Sequence, residues 1–173
     1  NIGGIHIAFR GGPKASDPEI IHGLQTPEGW TLTTLADEKT VWNYEATDFA
    51  LATTKVGAPA AVYPSSIRLS YAYSLGFSIE KTSIAQVEGQ KYTDTPIALV
   101  GEDGLTHVFY LEYSNSTKHL SYAVGGATTW TSQIIDPSIK NLGLGRFGAA
   151  LDPAGEPSIC YFDNDPEGYQ GLR

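Results

Sequence analysis

A glycine followed six residues later by an aromatic side chain occurs four times along this chain: Gly3–Phe9, Gly57–Tyr63, Gly104–Tyr110 and Gly155–Tyr161. The copies are 54, 47 and 51 residues apart. Three of the glycines follow a small apolar run, Phe49–Ala52, Ile97–Val100 and Phe147–Leu151. After the aromatic comes Leu69-Ser70-Tyr71-Ala72 or Leu120-Ser121-Tyr122-Ala123, with Leu24 and Leu172 as counterparts, and then a bulky ring, Trp30, Phe77 or Trp130. Each unit reads as four short strands in about 50 residues, the period of a propeller blade.

The expected fold is therefore all-β: a β-propeller of about four four-stranded blades, spanning 1–47, 48–95, 96–145 and 146–173, with the first and last incomplete. A β-sandwich is the alternative, since regularly spaced short strands also suit it. The Ala-rich first strand of each unit belongs at the crowded hub, and the Trp/Phe strand belongs where neighbouring blades diverge. Alternation marks Ile5–Phe9, His107–Leu111 and Trp130–Ile134 as strands, whereas no apolar stripe of helical period persists for three turns. Counting strands gives three, four, four and three. Residues 1–173 thus form one propeller-like domain or part of a larger one. The absence of Met and the last strand's end at Arg173 suggest a processed chain or a piece of a longer protein. Missing blades or self-association would cover the end faces.

Composition narrows the function. Nineteen acidic against eleven basic residues give a net charge of −8, the wrong sign for gripping phosphates, so no nucleic-acid partner is expected. No apolar run approaches the ~18 residues of a membrane helix, so no membrane insertion is expected. A single cysteine, Cys160, excludes an internal disulfide framework and reads as a buried, inert thiol. Asn115-Ser116-Thr117 is a glycosylation sequon on a hairpin turn and favours an extracellular or secreted protein.

The repeat resembles the bacterial neuraminidase-type (Asp-box) repeat, whose members build sialidases, lectins and binding scaffolds. Ala123–Trp130 is its best motif match, keeping Thr129 and Trp130 of the pattern S-x-D-x-G-x-T-W. Phe9-Arg10 resembles the start of the sialidase Phe/Tyr-Arg-Ile-Pro motif, with Gly11-Gly12-Pro13 following instead. The strand order is similar to that of fucose-binding propeller lectins. Those use an Arg, a Glu and a Trp between blades, a trio not repeated in register here. The resemblance implies a propeller and a leaning towards glycans.

Candidate chemistry is thin. A sialidase needs clustered arginines, and the chain has Arg10, Arg68, Arg146 and Arg173, none in a complete motif. Asp163, Asp165 and Glu167 resemble the opening of a calcium loop, so Ca²⁺ is the candidate ion, although a solvated hairpin suits the same residues better. No other cofactor is implied. His6 and His107 each lie three residues after a repeat glycine and should occupy one structural position in two blades. Sugars stack on aromatic rings and pair their hydroxyls with polar side chains. The candidate ligand-binding residues are Trp42, Tyr44, Arg68, Tyr71, Tyr73, Glu112, Tyr113 and Tyr122. Trp30 and Trp130, recurring in register, are expected in inter-blade packing. With no catalytic set, the expected function is carbohydrate binding between blades, leaning away from an enzyme. A sialidase-like hydrolase or lyase fragment and a protein-interaction scaffold are the alternatives.

Overall fold

A computed structural model describes residues 4–11, 19–37, 49–65, 68–74, 78–86, 96–114, 117–139, 147–164 and 170–172. These residues form fourteen strands and their turns, with no helix among them. Sheet 1 is β1 (His6–Gly11), β2 (Glu19–Thr26) and β3 (Gly29–Ala36). Sheet 2 is β4 (Ala50–Thr53), β5 (Pro59–Ser65), β6 (Arg68–Ser74) and β7 (Ile79–Gln86). Sheet 3 is β8 (Ile97–Val100), β9 (Thr106–Ser114), β10 (Thr117–Gly125) and β11 (Trp130–Ile139). Sheet 4 is β12 (Phe147–Leu151), β13 (Pro157–Asn164) and β14 (Gln170–Leu172). Every sheet is an antiparallel meander in sequence order. The strands divide among four sheets rather than the two layers of a sandwich, in the expected grouping of three, four, four and three.

The turn glycines explain why the repeat is visible at all. Gly57, Gly104 and Gly155 have φ of 81°, 84° and 87°, left-handed conformations that a side chain disfavours. In each hairpin the glycine N–H bonds back three residues, Gly57 to the Thr54 carbonyl, Gly104 to that of Gly101 and Gly155 to that of Asp152. The closing residue then bonds across the strands, as Thr54 N–H does to the Ala58 carbonyl at 2.8 Å. A single left-handed residue after a type I turn is a recurrent way to close a short hairpin. A second device also repeats. The pairing register slips at Ile20/Ile21, Leu69/Ser70 and Leu120/Ser121, against the last strand of sheets 1, 2 and 3. Such bulges add twist to a sheet.

This register corrects one assignment. Leu69 and Leu120 pair with Pro64 and Leu111, seven residues past their glycines, and Leu172 pairs with Phe162 at the same offset. In sheet 1 that place belongs to Ile20, opposite Arg10; Leu24 pairs with His6. The motif had drifted to another apolar residue, and His22 is the true counterpart of Tyr71 and Tyr122. The third ring, Phe77, lies outside the described residues.

The sheets pack face to face in chain order. One core joins Ile20, Leu35 and Ala36 of sheet 1 to Ala61, Tyr63 and Ala72 of sheet 2. A second joins Val62, Leu69 and Tyr71 to Val108, Tyr110 and Ala123 of sheet 3. A third joins Leu111, Leu120 and Ile139 to Tyr161 of sheet 4. The small-residue strands β4, β8 and β12 lie side by side at one edge of the stack. Sheet 3 is covered on both faces, so His107–Leu111 is buried throughout instead of alternating.

Two packing expectations meet different outcomes. Trp130 is half-buried against Tyr71, with ring centroids 5.2 Å apart in an edge-on contact. Trp30, which opens β3 as Trp130 opens β11, is instead exposed. Cys160 is likewise exposed rather than buried. Its neighbours Ile159 and Tyr161 point to sheet 3, and strand alternation turns the thiol the other way.

Candidate functional site

Sheets 3 and 4 leave a cleft of about 460 Å³ between them. Its floor is the face of sheet 3 carrying His107, Tyr122, Val124 and Gln133. Two of the repeated hairpin turns form its walls: Glu102 and Asp103 from the β8–β9 turn, and Ala154–Pro157 from the β12–β13 turn. Both turns are held by their own carboxylates. Asp103 Oδ1 accepts the Leu105 N–H at 3.0 Å. Asp152 Oδ1 accepts the N–H groups of Ala154 at 2.8 Å and Glu156 at 2.9 Å. The lysine of the preceding sheet's turn, Lys55, donates to the Glu102 carbonyl and ties neighbouring turns together.

At the centre, His107 Nδ1 and the Tyr122 hydroxyl are hydrogen-bonded at 2.7 Å. Tyr122 also packs on Phe109, with ring centroids 5.1 Å apart. Burial raises the Tyr122 pKa above the ordinary phenol value, and the negative charges of Glu156 and Asp103 raise it further. The phenol therefore stays protonated and keeps a proton to donate. Deeper in the same interface, the Tyr161 hydroxyl donates to Asp136 Oδ2 at 2.7 Å in buried surroundings, fastening sheet 4 to sheet 3.

The His107–Tyr122 pair has a counterpart in sheet 1, where His6 Nδ1 and His22 Nε2 lie 3.0 Å apart. His6 and His107 thus occupy one structural position, as their offset from the repeat glycine predicts. Burial lowers the His22 pKa, and the nearby His6 lowers it further. In sheet 2 the corresponding residues are Ala60 and Tyr71, both in the dry core. The Tyr71 hydroxyl is 3.3 Å from that of Thr106 in sheet 3. One register position is thus packed tight at one interface and opens into a polar cleft at another.

Among the described side chains, the structure does not gather the candidate ligand-binding residues together. Tyr122 lines the cleft. Tyr71 is buried between sheets 2 and 3 with no face free for a sugar, and Tyr73 packs beside it. Glu112 pairs with His119 on the face of sheet 3 opposite Leu111 and is half-buried. Desolvation raises its pKa, while His119 and the Ser121 hydroxyl pull it back. Arg68 and Tyr113 are placed by their strands alone, opposite Ser65 and Lys118. Trp42, Tyr44, Asp165 and Glu167 lie outside the described residues, and Asp163 is placed only by its strand, opposite Gly171.

Glu102, Asp103, Gln133 and Glu156 escaped the sequence reading, and His107 was read only as a structural position. The signal that finds them is the repeat itself. Glu102 and Asp103 immediately precede one turn glycine and Glu156 immediately follows another, so neighbouring units bring them to one end of the stack.

No family model matches this sequence, and no curated protein matches it. Among solved structures, the chain is similar to an endo-arabinase from Bacteroides thetaiotaomicron, with a TM-score of 0.51 and 14% identity, over 99% of this chain and 70% of that one. It is also similar to a fucose lectin from Kordia zhangzhouensis, with a TM-score of 0.47 and 9% identity, over 76% of this chain and 91% of that one. The likeness to the endo-arabinase is one of fold.

Proposed function

We propose that the four sheets are blades of a propeller and that the chain binds a neutral carbohydrate in the cleft between sheets 3 and 4. The observation that carries this reading is the cleft's chemistry. An aromatic hydroxyl paired with an imidazole lies between carboxylates on two walls, with an amide beside it. Carboxylates and the Gln133 amide accept sugar hydroxyl protons, the Tyr122 phenol pairs with ring or hydroxyl oxygens, and its ring offers a stacking face. Among the described residues, no Lys or Arg lines the cleft. Carboxylates with no such counter-charge disfavour a sialic or uronic acid, which argues against the sialidase alternative.

A second reading, hydrolysis of a neutral glycoside, rests on carboxylates standing on both walls. Glycosidases work with two such groups about 5–9.5 Å apart. Titration calorimetry against neutral and acidic oligosaccharides tests the proposal. Neutral sugars are expected to bind, and Glu156→Gln and Tyr122→Phe each to weaken binding about tenfold or more, the usual worth of a lost charge-assisted or buried hydrogen bond. Absence of neutral-sugar binding, or indifference to both changes, rejects the reading. Turnover of a chromogenic neutral glycoside that Glu156→Gln abolishes selects the hydrolase instead.

A further inference from the structure

Among the described residues, sheets 1 and 4 each leave one face uncovered, and both faces carry what the inner sheets bury. Register makes the comparison like for like. Six residues past the repeat glycine, Tyr63, Tyr110 and Tyr161 point to the preceding sheet and are 1%, 2% and 8% exposed. The same place in sheet 1 holds Phe9, at 38%. Ile7, Trp30 and Leu32 share that face, since all three surround the position where Gly23 would carry a side chain. The counterparts of Ile7 and Trp30 in sheet 3, Val108 and Trp130, pack on sheet 2, while that of Leu32 is Ser132. The opposite face tells the matching story. Val62 and Phe109, five past the glycine, are buried, while Cys160 is exposed. Leu111, seven past, is 1% exposed, while Phe162 is 51%.

We propose that a second copy of this chain docks head-to-tail, with the Cys160–Phe162 face of its sheet 4 against the Ile7–Phe9–Trp30–Leu32 face of sheet 1. The argument is continuity. The three internal interfaces all set the face of one sheet that carries positions five and seven against the face of the next that carries positions four and six. The two open faces are the unmatched halves of one more such interface. A second copy presents the complement in the correct register, whereas an unrelated partner would have to imitate a blade. Among the described residues, the two faces stay exposed within one chain. The contact is heterologous, so copies close into a ring or extend in series.

Sedimentation equilibrium over a concentration series tests this, together with cross-linking through the chain's one native cysteine. The mass is expected to rise from 18.6 kDa to a multiple of it. Trp30→Glu and, independently, Leu32→Glu should each weaken association at least about tenfold, because a charge would be desolvated in an apolar contact. Val56→Glu, on the exposed β4–β5 turn, should leave it unchanged. Under mild oxidation, Ile7→Cys or Phe9→Cys should form a disulfide with Cys160 of another chain. A single-chain mass throughout, a disulfide closed within one chain, or equal cross-linking of the unaltered protein through Cys160 alone would each overturn the proposal.

Discussion

Sheets 1 and 3 share a plan and differ in fate. Each has a histidine three residues past its glycine, a bulge against its last strand, and a tryptophan opening that strand. In sheet 3 the tryptophan meets Tyr71 of the neighbouring sheet, and Thr106–Leu111 of β9 is sealed. In sheet 1 the equivalent tryptophan faces outward, 49% exposed. The difference teaches that in a stack of repeats the energetic role of a residue is set by whether a neighbour covers it. Stability in such arrays is approximately a sum of unit and nearest-neighbour contributions.

The largest expected effect comes from trading the two tryptophans. Trp130→Ala should cost about 3 kcal/mol in urea denaturation, for the lost burial and the cavity left against Tyr71. Trp30→Ala, measured dilute enough to keep single chains apart, should cost less than about 1 kcal/mol. Equal costs would break the comparison.

The next tests the seal on sheet 3's other face. Tyr161→Phe removes the hydroxyl from buried Asp136 and is expected to cost about 1–3 kcal/mol, because the carboxylate loses a donor away from water. A neutral outcome would mean that sheet 4 is not fastened there. Smaller again are the turns. Gly57→Ala and Gly104→Ala each force a side chain into a left-handed conformation, at about 1–2 kcal/mol apiece. Gly126→Ala, with open space around it and no positive φ, should stay within about 0.5 kcal/mol.

The smallest effect is pH-dependent and belongs to sheet 1. His22 binds its proton less readily folded than unfolded, since burial and His6 both lower its pKa. Its contribution is therefore fully present above the ordinary value of 6.5 and is lost as pH falls below it, through the depressed folded value. Chemical denaturation at neutral and mildly acidic pH should show the decline, and His22→Gln should flatten it.

Much of the fold was legible because its devices are local. The left-handed glycines follow from backbone sterics and recur at a fixed offset from an aromatic. Strand number and order followed from counting between them. The cleft was far less legible. Tyr122 was singled out, but for the same reason as Tyr71, its twin in register, and the two stand in opposite surroundings, one lining the cleft and one in the dry core. Cys160 was misjudged because a strand residue between two apolar neighbours looks buried when one cannot see that its own side lacks a covering sheet. Glu102, Asp103 and Glu156 looked like ordinary turn acids until two turns stood beside each other.

By itself, then, the chain's residue order determined extended strands, tight glycine turns and a fourfold modular plan, since these depend on φ, on side-chain alternation and on short-range pairing. Only the tertiary structure decided which copy of each position is dry, which opens as a polar cleft and which faces outward. Burial is a property of the neighbouring sheet, and that neighbour lies about fifty residues away along the chain.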